Sequence, residues 1–65
     1  MTDLETYRYW ADTYHALDTR RLRGDLSNDD FDRIVRNMEE RLGVDRWSIP
    51  RWEAAFQAWN AELGA

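Results

Sequence analysis

Between residues 27 and 43 the chain carries a pattern that leaves the backbone little choice. Phe31, Ile34, Val35, Met38 and Leu42 recur at i, i+3, i+4, i+7 and i+11. That spacing lines one face of a helix with 3.6 residues per turn and lines neither face of a strand. Ser27 stands where a helix needs an N-cap, with Asp30 three residues on and Asp29, Asp30 and Asp32 at the positive end of the helix dipole. Arg41 suits the last turn and Gly43 is the residue type that ends helices. The spacing predicts a helix over 28–42.

The same arithmetic holds on both sides. Trp52, Ala55, Phe56, Trp59 and Leu63 repeat the i, i+3, i+4, i+7, i+11 pattern behind Ser48 as a cap and Pro50 in the first turn, where the missing N–H costs nothing. A helix over 49–63 follows, closed by Gly64. Toward the N-terminus, Leu4, Tyr7, Trp10, Ala11, Tyr14 and Leu17 share a stripe, with Thr2 or Asp3 as cap and Gly24 as stop. This predicts a helix over 3–22, with Tyr9 on its opposite side. No segment alternates with period two long enough to argue a strand. Loops of about four to six residues force neighbouring helices together. The expected fold is therefore all-α, a compact three-helix bundle forming one domain over residues 1–65. A second core would leave neither half enough buried surface.

The 65 residues include no Cys. Disulfides and thiolate zinc sites, the usual supports of small secreted domains, are excluded, and a reducing cytoplasm is the expected location. The segment Met1 to Tyr9 carries Asp3 and Glu5 and no apolar run, so neither secretion nor membrane insertion is expected. The net charge of −4 is unevenly spread. Arg8 faces four acids in residues 1–19, eight Arg meet seven acids in 20–51, and only Glu53 and Glu62 are charged in 52–65. All nine basic residues are Arg.

The run Gly24-Asp25-Leu26-Ser27-Asn28-Asp29-Asp30-Phe31, followed by Val35 and Met38, resembles the SHOCT motif. That family's short helical hairpin carries a Gly, an aliphatic, a Ser or Thr, an acidic residue and an aromatic in this order, and Leu17, Leu22 and Arg23 fit its first helix. The likeness spans residues 17–42. It implies an interaction or oligomerisation piece and no catalysis. Val35 stands where the family usually has Lys, and the aromatic third helix lies outside the motif.

Catalytic and metal chemistry find few residues to use. Nucleophile-and-base catalysis needs groups converging in a cleft, and the chain offers one His and two Ser. His15 has Asp12 and Asp18 at i−3 and i+3, an arrangement that serves a surface helix as well as it would orient an imidazole. No zinc spacing occurs. Placing Gly24 at the sixth position of a calcium loop puts Arg21 and Arg23 where oxygen ligands are required. The expectation is a protein without enzymatic activity, metal, cofactor or small-molecule substrate.

Nine aromatic side chains are more than a bundle of this size obviously needs. Trp47, Tyr9 and one of Trp52 or Trp59 count as surplus, and Arg46-Trp47 and Arg51-Trp52 repeat five residues apart. Trp and Arg dominate interface hot spots. Ala54, Ala58 and Ala61 line the back of the third helix, which is thus apolar or small on two sides and expected to be covered on both. The sequence therefore points to a protein-binding module, an adaptor, accessory subunit or inhibitor whose partner is another protein or itself. Its contact residues are expected to be Tyr9, Arg46, Trp47, Arg51, Trp52, Trp59, Ala54, Ala58 and Ala61. The alternative is single-stranded nucleic-acid binding through Arg and stacked Trp, against which the negative charge weighs.

Overall fold

The computed structural model describes residues 1–64. It contains α1 (Asp3–Leu22), α2 (Asn28–Leu42), a 3-10 turn (Val44–Arg46) and α3 (Ile49–Gly64), a three-helix bundle with no strand among the described residues. None of its helices is long and apolar enough to cross a membrane.

Helix boundaries follow from capping chemistry. At α1 the choice between Thr2 and Asp3 resolves to Thr2. The Glu5 backbone N–H donates to Thr2 Oγ1 at 3.1 Å, and the Thr2 backbone N–H donates back to Glu5 Oε1 at 3.3 Å. This reciprocal box satisfies two donors that the helix start leaves free. Ser27 Oγ accepts from the Asp30 N–H at 3.1 Å and Ser48 Oγ from the Arg51 N–H at 3.4 Å. The Asp30 side chain does not reach back to Ser27 and takes Arg33 instead, at 2.7 Å. After α1, Gly24 adopts φ +82°. Its N–H donates to Arg21 O at 3.1 Å, and the Asp25 N–H donates to Arg20 O at 2.9 Å. These are the paired bonds of a Schellman stop. Gly43 ends α2 at φ +76°. Gly64 departs from expectation: its φ is not positive, and it is the last residue of α3 and no left-handed stop.

Helix α1 is the common support. Both α2 and α3 pack on it, and they do not approach one another. Against α2, Leu17, Phe31 and Val35 form a buried aliphatic and aromatic cluster, with Leu26 and Ile34 packed on its edge. Met38 and Val44 continue the burial toward the 3-10 turn, and Val44 is completely enclosed. Against α3 the packing is different. Ala55 is the one buried residue of that helix. Two of the residues assigned to its core stripe, Phe56 and Leu63, are exposed, because α3 has α1 on one side and nothing from α2 on the other.

Two ion pairs bridge α1 and α3. Arg51 donates to both oxygens of Asp3 at 2.8 Å, and Arg8 Nη2 lies 2.8 and 2.7 Å from the two oxygens of Glu62. The pairs are five residues apart on α1 and eleven apart on α3.

Candidate functional site

Eight of the nine aromatic rings form one connected network. Phe31 meets Tyr14 edge-on at 5.3 Å, Tyr14 stacks on Trp10 at 5.1 Å, Trp10 meets Trp52 at 5.1 Å, and Trp52 meets Trp47 at 5.3 Å. Tyr7 branches from the middle and touches Trp10, Trp52, Phe56 and Trp59 at 5.6 to 6.3 Å. The offset and edge-on geometries are those that aromatic quadrupoles favour. An Arg sits over the ring at each end of the chain of contacts. Arg51 lies 4.5 Å from the Trp47 centroid and Arg21 lies 5.2 Å from that of Phe31. Each is steadied by an acid, Arg51 by Asp3 and Arg21 by Asp18, whose Oδ1 accepts from Arg21 Nε at 3.0 Å.

This arrangement gives three of the sequence-selected residues a role within the fold. Trp47, Trp52 and Arg51 join the 3-10 turn and α3 to α1, so the Arg-Trp repeat is not a surplus that folding leaves unused. Its visibility from sequence was limited because the acid that holds Arg51 lies 48 residues away. Trp59 is half-buried against Tyr7 and Phe56. Arg46 is exposed and has no ion pair among the described residues. Ala54, Ala58 and Ala61 are exposed on the back of α3. Tyr9 stands apart, outside the ring network. With Met1, Thr13, Ile34, Met38, Arg41 and Leu42 it lines a groove of about 260 Å³ between α1 and α2.

What remains uncovered on α3 is an ordered stripe. Ile49, Phe56 and Leu63 are 74, 47 and 66% exposed. Seven residues make almost two turns, so the three lie in line. Together with Trp52 and Trp59 they complete a 3-4-3-4 apolar repeat, the seam pattern of paired helices. Here α1 takes the Trp52 and Trp59 column and leaves the other open. The spacing of the third helix predicts Phe56 and Leu63 in the core and leaves Ile49 out of the stripe, whereas all three are exposed. The signal that would have found them is the heptad itself, which is broader than the single α1 surface available to cover it.

The stripe is also electrically quiet. Of the three charged residues on α3, Arg51 and Glu62 are bound to α1, and Glu53 alone has no ion-pair partner among the described residues. The outer face of α2, by contrast, bears Asp29, Asp32, Arg33, Arg36 and Glu40.

Titration behaviour follows the same contacts. The Arg51 hydrogen bonds hold the Asp3 carboxyl below its ordinary range. Glu5 is lowered by the Thr2 backbone bond and then by the Thr2 hydroxyl. Burial raises the Tyr7 phenol. His15 is exposed, and Asp18, one of the acids flanking it, is engaged by Arg21. Among the described residues no three His, Asp or Glu side chains gather as a metal-binding group.

Comparison with protein-family models, with curated proteins and with solved structures finds no match for this chain.

Proposed function

We propose that this chain is a non-catalytic protein-binding module that engages its partner through α3. The observation that carries this reading is the open column of Ile49, Phe56 and Leu63 on a helix whose outward surface bears one free charge. A helix apolar on several sides is normally covered on several sides, and α1 covers one. Trp59 at the edge of the column supplies an anchor of the type found in hot spots. Ala54, Ala58 and Ala61 lie on the opposite side of α3 from the column and present little bulk to a backbone approaching there. Arg46 is free to bond acceptors at the rim.

The test compares the wild-type chain with Leu63→Glu as baits. Leu63 is two-thirds exposed near the end of α3, so the variant is expected to keep the fold, which circular dichroism checks. A protein retained by the wild type and lost with Leu63→Glu, then confirmed by titration with the purified partner, supports the reading. Equal retention by both baits overturns it. A Trp47→Ala bait is less informative, since Trp47 packs on Trp52 and under Arg51.

Single-stranded nucleic-acid binding draws less support. Stacking a base on the Trp47 face that Arg51 covers requires displacing that cation, which Asp3 holds in place. Retention on heparin that collapses steeply with salt is the result that would favour it.

A further inference from the structure

We infer that the partner of the open α3 column is a second copy of this chain, paired through α3 in antiparallel orientation about a twofold axis at Phe56. The inference rests on α3 being a docking surface at all, and three observations carry it to this particular occupant.

The first is symmetry. Two-fold pairing brings the same patch from both copies face to face, so the patch must complement itself. Ile49 and Leu63 lie seven residues on either side of Phe56. Turning one helix over about Phe56 sets Ile49 of each copy against Leu63 of the other and Phe56 against Phe56. The column reads the same in both directions, aliphatic, aromatic, aliphatic.

The second is charge. Each chain carries −4, so two copies repel unless they meet where neither presents free charge. The outer face of α3 meets that requirement apart from Glu53, whereas the outer face of α2 does not. In the antiparallel arrangement the two Glu53 positions are displaced along the axis by about six residues, roughly 9 Å, and do not confront each other. Parallel pairing would place them side by side.

The third is area. Large apolar side chains present about 150 to 250 Å² each, and on these three about half to three-quarters is uncovered. Pairing hides on the order of 700 Å² from the two columns together, with Trp59 on one flank and Asn60 on the other. That lies below the roughly 1,200 Å² of standard stable interfaces. The pair is accordingly a reversible one, in exchange with monomer at micromolar to millimolar concentration, and can yield to a competing helix.

Sedimentation equilibrium from about 10 µM to 1 mM measures this. The weight-average mass rises from 7.8 kDa toward twice that value. The double variant Ile49→Glu/Leu63→Glu stays monomeric with unchanged helical circular dichroism, because antiparallel pairing would set its new carboxylates against one another. A wild-type chain that remains monomeric to 1 mM overturns the inference. If it does so while Leu63→Glu still loses a foreign partner, only self-pairing fails and the docking surface stands.

Orientation is read by cross-linking, which the absence of native Cys makes clean. Mild oxidation of a mixture of Ile49→Cys and Leu63→Cys chains yields the mixed disulfide dimer, and each variant alone yields little. Dimers from Ile49→Cys alone indicate a parallel pair and overturn the antiparallel geometry, and absence of any dimer overturns the pairing.

Discussion

The two sides of α1 show two ways for a short chain to make a core. Toward α2 the contact is mainly aliphatic and well buried: Leu17, Phe31 and Val35 are buried, Met38 and Val44 extend the burial, and the outer face of α2 is charged. Toward α3 the contact is made of rings and ion pairs, with Tyr7 of α1 and Ala55 of α3 buried and an apolar column left in the open. Amphipathic contrast determines how far a helix can be finished by a single neighbour. Helix α2 has one apolar face and needs one partner, whereas α3 has an apolar face wider than α1 can cover.

The strongest test of that contrast truncates one Phe on each side. Phe31→Ala removes a 7%-exposed ring and is expected to cost about 3 to 5 kcal/mol, against roughly 3 to 10 kcal/mol for a whole domain of this length. Urea titration should find that variant largely unfolded. Phe56→Ala, made at a site 47% exposed, should cost about 1 kcal/mol. Equal losses would mean that the α3 side is as closed as the α2 side.

Glycine replacements separate the helix ends in the same way. Gly43 sits at φ +76° with open space around it, so Gly43→Ala is opposed by backbone strain alone. Thermal melting should show a loss of about 1 to 2 kcal/mol. Gly64 has no positive φ, and Gly64→Ala should be neutral or stabilising by a few tenths of a kcal/mol, since it ends a helix where Ala is favoured.

Acid should loosen the start of α1 and its hold on α3. Asp3 and Glu5 both have folded-state pKa values below their ordinary ones. Their contribution is therefore fully present above the ordinary carboxylate range near pH 4 and is lost as pH falls through the lower folded values. Melting temperature recorded from pH 6 to pH 2 should drop in that window. Asp3→Asn should flatten part of the drop, and Ser27→Ala should lower stability throughout without changing its shape. The smallest effect is expected from Glu62→Gln, whose exposed pair with Arg8 should shift the melting temperature little and less still in high salt.

The elements themselves were legible in the sequence because their ends are written in local chemistry. Thr2, Ser27, Ser48, Gly24 and Gly43 act within four residues of themselves, and the expected helices over 3–22, 28–42 and 49–63 meet the observed ones with a one-residue difference at Gly64. Val44 was not legible. A single branched residue between Gly43 and Asp45 has no period to betray it, yet it is the most buried side chain among the described residues. The destination of the aromatic surplus was equally hidden, since it depends on Asp3 meeting Arg51 and Tyr7 meeting Trp52 across the chain. Trp47, which reads as spare in the sequence, is structural, and Phe56 and Leu63, which read as core, are surface.

The chain of rings has an optical consequence. All four indoles belong to one network, and two indole pairs, Trp10 with Trp52 and Trp47 with Trp52, lie 5.1 and 5.3 Å apart at steep angles. Transition dipoles so close and so inclined couple, which splits the indole absorption band in the far ultraviolet into lobes of opposite sign and superimposes them on the helical circular dichroism. Energy absorbed by any of the tyrosines in the network passes to an indole before it is emitted. The protein therefore carries a built-in reporter of whether α3 is seated on α1, readable without a label.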